Sequence, residues 1–217
     1  MIARMNVVDW RPDLADATID LLARAFAGNP LHVAAFGADT VLERNRLFFQ
    51  VGLSLFRGRR LVAIEGSKIS GFAHWVESPG CKFSVGQRLS LVPTMLRGFG
   101  MTSTLRVGSW LSTWAMHDRS DLHWHFGPIG VDPEIQGQGV GRLLMDIFCS
   151  MLDDKSALGF LETDKPENVG FYKKFGFEVV KEVQVIGTAT FFMARAARMA
   201  KVTADSLVIG GPSGVKI

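Results

Sequence analysis

Apolar positions along the chain recur with helical spacing in some stretches and cluster in short runs in others. Residues 4–10 predict a short strand centred on Asn6, Val7 and Val8. Asp13 then reads as an N-cap, and Leu14, Ala17, Leu21, Leu22 and Ala25 keep helical spacing until Gly28-Asn29-Pro30 ends the helix. Thr40 and Glu43 have the form of a capping box, and Val41, Leu42, Leu47, Phe48, Val51 and Leu55 predict a second helix behind it. Arg60 to Glu65 and Ile69 to Glu77 predict a hairpin turning at Gly66-Ser67.

Residues 78–120 break this regularity. Pro79, Gly80, Gly86, Pro93, Gly98, Gly100 and Gly108 interrupt an apolar stretch that holds Leu96, Phe99, Met101, Trp110 and Trp114. The pattern predicts short helices joined by glycine breaks, not one long helix. Two roles stay open for it: an extra layer of core, or a mobile apolar wall over a binding site.

From Asp121 the pattern is regular again. Leu122 to Val131 predicts a strand that stops at Asp132-Pro133. Val140, Leu143, Leu144, Ile147, Phe148, Met151 and Leu152 then mark one face of the most amphipathic helix in the chain. Ala157 to Thr163 predicts a short buried strand. Pro166 opens a helix that Gly176 closes, and Phe177 to Ile186 with Ala189 to Met193 complete a strand pair. The order of elements predicts an α/β (α+β) domain over residues 1–198, with a helical insertion at 78–120 and a loose tail at 199–217.

Composition narrows the function classes. Of 217 residues, 47% are apolar and 21% charged, which supports a full core and excludes disorder as the overall state. The net charge of +3 is not gathered into Lys/Arg runs, so a nucleic-acid partner is not expected. Cys81 and Cys149 are the only cysteines and form no CxxC pair. That sets aside a disulfide framework and a thiol-based structural zinc site, and it suits a reducing compartment. No signal-peptide pattern opens the chain and no run of ~18 uncharged apolar residues occurs, so a cytoplasmic protein with no membrane partner is expected. No metal is expected.

Two segments carry candidate chemistry. Gln136-Gly137-Gln138-Gly139-Val140-Gly141-Arg142 joins the predicted strand to the amphipathic helix. Three glycines there let a ligand approach the backbone and aim free N–H groups and a helix N-terminus at one point, which suits a phosphate. The dinucleotide pattern is incomplete, since Leu143 stands where its last glycine belongs, and no Gly-Lys-Ser/Thr follows for a phosphate-binding lysine. The second segment, Asn168 to Phe177, holds the chain's single tyrosine, Tyr172. On its own a buried tyrosine most often just satisfies a backbone carbonyl.

Together the segments resemble the GNAT superfamily of acyl-CoA-dependent N-acyltransferases. Gln136, Gly139 and Gly141 fill that superfamily's motif A, Arg/Gln-x-x-Gly-x-Gly/Ala, and Asn168, Phe171-Tyr172 and Phe175-Gly176-Phe177 resemble its motif B. Leu161-Glu162-Thr163 is similar to the branch of puromycin-type N-acetyltransferases. The resemblance implies a GNAT fold, a mixed central sheet of about seven strands with four helices, and acetyl-CoA (coenzyme A) wedged in a splay between the strands at 122–131 and 157–163. It places the pyrophosphate on the N–H groups of Gln136, Gly137, Gln138, Gly139, Val140, Gly141 and Arg142. Ile129, Gly130 and Val131 would meet the pantetheine, and Asn168 would touch the cofactor from the fourth helix.

The resemblance also assigns chemistry. Tyr172 matches the family tyrosine that serves the departing sulfur, and a backbone N–H near Ile129 to Val131 can polarise the carbonyl. His125 stands where the family often has a glutamate base; it and Glu162 are the two candidates for that role. His123, Trp124 and Glu134 read as structural or surface residues. The apolar insertion favours a small amphipathic or aromatic primary amine as acceptor. A protein or peptide N-acetyltransferase and a non-catalytic acyl-CoA-binding or sensing protein are the alternatives, and a homodimer stays open.

Overall fold

The structure, a computed structural model, describes residues 5–196. The expected tail at 199–217 lies outside the described residues. Seven strands form one sheet in the order β1-β2-β3-β4-β5-β7-β6. They are β1 (Met5–Asp9), β2 (Arg59–Glu65), β3 (Lys68–Glu77), β4 (Trp124–Val131), β5 (Gly159–Thr163), β6 (Glu178–Val185) and β7 (Thr188–Arg195). Every neighbouring pair is antiparallel except β4 and β5.

Both faces of the sheet centre are covered, which is why β3 is buried along nearly its whole length. Leu61, Ala63, Ala73 and Trp75 pack with Leu144, Phe148 and Leu152 of α5 (Val140–Asp154). The alternate positions Val62 and Phe72 pack with Leu21 and Leu22 of α1 (Ala15–Ala25) and Phe49 and Leu53 of α3 (Val41–Leu55). Gly71 permits the close approach of α5, because a Cβ there would lie 2.8 Å from Val140 Cγ1.

Several local expectations are corrected. Asp13 does not cap: it sits in a 3-10 turn, Pro12–Leu14, and accepts from Arg11 instead. Thr40 precedes α3 without a side-chain cap, since its hydroxyl donates to the Phe36 carbonyl. Pro30 does more than end α1. It occupies the first turn of a seven-residue helix, α2 (Pro30–Phe36), which is too short to have shown a period. With the helix of the insertion and α6 (Pro166–Lys173) the described residues hold six α-helices, not the four implied by resemblance.

The insertion differs most. The expected glycine break occurs, but at one glycine only: α4 (Val85–His117) is two helices joined across a kink at Gly100, whose φ of 74° and ψ of 173° are non-helical. Ser84 and Gln87 close a capping box at its start. Gly98 is no hinge: a Cβ there would meet Leu47 Cδ2 at 1.8 Å, so its role is to admit α3. Met95, Phe99, Val107 and Trp110 of α4 pack with Leu31, Phe36 and Val41 in a third apolar cluster. Packing therefore keeps Gly98 helical, whereas Gly100 breaks the helix as its glycine predicts. No helix among the described residues is long and apolar enough to cross a membrane.

Candidate active site

The site begins where β4 and β5 part. They pair only at Trp124–Gly159 and His125–Phe160, so the rest of β4 has a partner on the β3 side alone. Asp132 N–H donates to the Ser70 carbonyl at 3.0 Å. Alternation along the strand then turns Gly130 toward β3 and the Ile129 and Val131 amides toward the splay. Gly130 also serves packing, since a Cβ there would come 2.8 Å from Leu22 Cδ2.

A buried carboxylate fixes the turn that follows. Asp132 accepts from both terminal nitrogens of Arg24 (2.9 and 3.2 Å), pairs with Lys68 at 2.9 Å, and accepts the Glu134 N–H at 3.1 Å. The Arg24 guanidinium above all holds its pKa well below the usual carboxylate range. Beyond it, Gly137 and Gly139 have φ of 79° and 93°, a region that favours glycine. Gly139 is the N-cap of α5, and Leu143 N–H is the first to bond back to it. The N–H groups of Val140, Gly141 and Arg142 are thus left without helical acceptors. Gln138 N–H is turned to the Ile135 carbonyl at 3.3 Å, which removes it from the expected phosphate donors. Gln136 Nε2 donates to the Val131 carbonyl at 3.1 Å.

On the other side of the splay stands α6. Asn168 Nδ2 donates to Thr163 Oγ1 at 3.4 Å, and Tyr172 lies buried one turn on. Burial, and then the charge of Asp164, push the Tyr172 phenol above its ordinary pKa, so it keeps its proton and can donate. Asp164 is itself buried; it accepts from Asn29 Nδ2 at 3.1 Å and from Leu31 N–H at 2.8 Å, tying the start of α2 to the end of β5.

His125 and Glu162, the two base candidates, form one pair: Nε2 and Oε2 are 2.9 Å apart. Burial opposes a charge on His125, but Glu162 and Asp118 outweigh it and raise its pKa well above the ordinary value. Asp118, at the end of α4, lies 3.1 Å from His123 Nε2 and 3.8 Å from His125 Nδ1. Cys81 Sγ lies 3.6 Å from Asp118 Oδ2 and 4.0 Å from His123 Nε2. His123, read from sequence as structural or surface, is buried in this group. Trp124 carries Lys155 over its ring and Glu134 pairs with Lys68 at the surface.

A single cleft of about 930 Å³ joins these parts. Ile129, Gly130, Val131, Gln136, Gly137, Gly139, Gly141, Arg142 and Asn168 line it with Tyr172, His125 and Glu162, whereas Gln138 and Val140 do not. Its far wall is aromatic: Phe48 stacks on Trp110 at 5.5 Å, and Trp114 meets Trp110 edge-on at 5.3 Å. Of the wall expected from 78–120, Phe99, Trp110 and Trp114 line the cleft; Leu96 does not, and Met101 is exposed. Cys81, Asp118 and Asp164 were missed. The His123-x-His125 spacing, which puts both rings on one side of a strand, was the available signal for the first two.

The chain is similar to known acetyltransferases in sequence and fold. Residues 106–179 match the family model described as Acetyltransferase (GNAT) domain. A 61-residue stretch is 34% identical to the peptidyl-lysine N-acetyltransferase YjaB of Escherichia coli K12, covering 28% of this chain and 40% of that protein. Among solved structures, a histone acetyltransferase HPA2 and related acetyltransferase from Corynebacterium glutamicum superposes with TM-score 0.70 at 17% identity, over 92% of this chain and 99% of that one. Arylalkylamine N-acetyltransferase 2 from Aedes aegypti superposes with TM-score 0.61 at 14% identity, over 89% and 99%. The likeness of Leu161-Glu162-Thr163 to the puromycin branch stands on those three residues alone.

Proposed function

We propose that this chain, which carries a GNAT acetyltransferase domain over residues 106–179 within a GNAT fold, moves the acetyl group of acetyl-CoA to the primary amine of a small molecule. The observation that carries the reading is the continuity of the cleft. It runs without a wall from the glycine turn, past Tyr172, to the His125–Glu162 pair and the aromatic side. Both substrates can be held at once, so transfer is direct in a ternary complex.

The residues present suit acetyl-CoA. The first turn of α5 offers unpaired N–H groups to a pyrophosphate, and nothing lies within 4 Å of the space a Cβ would take at Gly137. The outward amides of Ile129 and Val131 meet the pantetheine as an added strand would, and one of them polarises the thioester carbonyl. The amine nitrogen attacks that carbonyl carbon and the C–S bond breaks. Glu162, oriented by His125, takes the amine proton directly or through water, and Tyr172 donates its O–H to the departing sulfur.

The acceptor is a small amphipathic or aromatic amine. Phe48, Trp110 and Trp114 give its half of the cleft an apolar character, and no Lys/Arg run invites nucleic acid. The arylalkylamine specificity named for the Aedes protein supports this choice. The sequence likeness to a peptidyl-lysine enzyme favours the second reading, a peptide acceptor. A cytoplasmic setting suits either. Thiol release from acetyl-CoA over arylalkylamines, polyamines and lysyl peptides decides. Arylalkylamines are expected to give the highest kcat/KM. A preference for peptides would favour the second reading, and acetyl-CoA binding with no turnover on any amine would mean a binding protein.

A further inference from the structure

Beside the cleft, which Cys81, Asp118 and His125 help to line, four side chains from three segments point their ligand atoms at one another. Cys81 follows β3, Asp118 ends α4, and His123 and His125 lie at the start of β4. One ligand atom from each lies within 4.8 Å of all the others. We propose that Cys81, Asp118, His123 and His125 bind a divalent ion of the zinc class and that this ion fastens α4 to the sheet.

Hydrogen bonding on the far side of each ring sets which nitrogen faces inward. His123 Nδ1 is 2.8 Å from the Asp121 carbonyl, an acceptor that can only be met by N–H. His125 Nε2 is likewise 2.9 Å from the Glu162 carboxylate. In the neutral rings the protons therefore sit outside, and the lone pairs of His123 Nε2 and His125 Nδ1 turn toward Asp118 and Cys81. A carboxylate or carbonyl behind a histidine in this way orients a metal ligand and raises its basicity.

With the rings neutral and the thiol ionised, the inward atoms are a carboxylate oxygen, a thiolate and two imine nitrogens, four lone-pair ligands for a cation. Without an ion the Cys81 Sγ–H donates to Asp118 Oδ2, and His125 Nδ1 is buried with no hydrogen-bond partner among the described residues. Lys82 reaches Asp118 only from the solvent side, at 3.4 Å from Oδ2. A cation in the centre satisfies all four at once. The spacing suits one: ligands at about 2.0–2.3 Å from a tetrahedral ion stand roughly 3.3–3.8 Å apart. Asp118 Oδ1 stands 3.1 Å from His123 Nε2 and 3.8 Å from His125 Nδ1. Cys81 Sγ stands 4.0 Å from His123 Nε2 and 3.6 Å from the other Asp118 oxygen, Oδ2, with one ligand atom of each residue within 4.8 Å of the rest. The mixed sulfur, nitrogen and oxygen set selects a zinc-class ion over magnesium or calcium.

Four protein ligands close the coordination sphere, so the ion is structural and not a Lewis acid for the substrate. It joins the last residue of the insertion to the strand beneath it and holds the imidazole whose outer N–H meets Glu162.

The test uses the full chain. Purified protein is expected to carry about one zinc per chain by elemental analysis, and replacement with Co²⁺ to give tetrahedral visible bands with a sulfur-to-cobalt charge-transfer band. Cys81→Ser is expected to remove the charge-transfer band, and His123→Gln to lower metal content. Because either variant could misfold, the wild type, first stripped of metal with a chelator, is also alkylated with and without one equivalent of Zn²⁺. Modification of Cys81, located by peptide mass, is expected to slow about tenfold or more with the ion. Absence of the cobalt–sulfur band in wild-type protein, or alkylation of Cys81 at one rate in both conditions, overturns the site and leaves a thiol beside two histidines.

Discussion

Around Gly137, Gly139 and the first turn of α5 the cleft is walled by backbone; around Phe48, Trp110 and Trp114 it is walled by side chains. The first wall depends on conformation, on two positive-φ glycines and a buried Asp132 that fixes the turn ahead of them. The second depends on which rings α3 and α4 bring together. Backbone donors meet a pyrophosphate whatever surrounds them, so such a half can persist while the sequence changes. An apolar side-chain wall discriminates by shape and can be rebuilt residue by residue. The two halves should therefore respond differently to mutation: the first in all-or-none fashion, the second by degrees.

Gly139→Asp is the severest test of the first half. It forces a non-glycine residue to φ of 93° and sets a negative charge where the phosphates belong. Saturating acetyl-CoA, at ~100 times Kd, should stabilise the wild type by about 2.7 kcal/mol. The variant should lose that shift entirely, together with activity. A normal thermal shift in Gly139→Asp would remove the glycine turn from the cofactor site.

The same division explains what could be read from sequence. The face of α5, the hairpin at Gly66 and the glycine turn are local: each is written within one continuous segment, so periodicity and turn chemistry reach it. The acceptor side is not local. The glycines of residues 78–120 predicted breaks, yet Gly98 is helical because Leu47, from another helix, fills the space beside it. Ser84-x-x-Gln87 did carry a capping signal for α4. The Cys81–Asp118–His123–His125 group is assembled only when α4 brings Asp118 back to β4, and no spacing rule spans that distance. His125 and Glu162 were rival bases in the sequence; in the fold they are partners.

Between the halves, Tyr172→Phe should lower kcat on the order of 10²-fold while leaving acetyl-CoA affinity nearly unchanged. The phenol is buried in the cleft and keeps its proton, so the hydroxyl can act on the departing sulfur without holding the cofactor. Pre-steady-state formation of the CoA thiol separates chemistry from product release. An unchanged chemical step would make Tyr172 a packing residue, and the boundary between the halves would move toward α5.

In the second half the effect should be graded. Trp114 is half-buried against Trp110, and its indole N–H has no partner among the described residues. Trp114→Ala is expected to raise acceptor KM about tenfold, roughly 1.4 kcal/mol, with acetyl-CoA affinity held. Trp110 is fully buried, so its truncation should appear first as lost stability. An unaltered acceptor profile in folded Trp114→Ala would reduce the aromatic wall to plain core.

The smallest effect comes from the histidine behind that wall. His32 is enclosed by Phe26, Phe48, Phe49 and Trp110, with ring centroids 5.0 to 5.6 Å away. Asn45 Nδ2 donates to the Ala23 carbonyl, which turns Asn45 Oδ1 toward His32 Nδ1 at 2.7 Å, so the neutral ring donates there. Burial lowers its pKa to about 4; Asn45 and Asp164 oppose the shift, and Lys165 adds to it. The folded state thus stays neutral where the unfolded chain, near the ordinary 6.5, takes up a proton. Acid therefore favours unfolding through this residue. Its contribution is intact above about pH 6.5 and falls away as pH drops toward about 4, with a loss on the order of 1 kcal/mol between about pH 7.5 and about pH 6. His74, whose pKa burial also lowers, acts with the same sign. The measurement is consequently a difference: urea unfolding of wild type and His32→Phe at both pH values. The variant should be less stable at each, since Asn45 loses its donor, but its loss on acidification should be smaller by that amount. Equal pH dependence in the two proteins would mean that His32 can be protonated in place, and that the wall is looser than its packing implies.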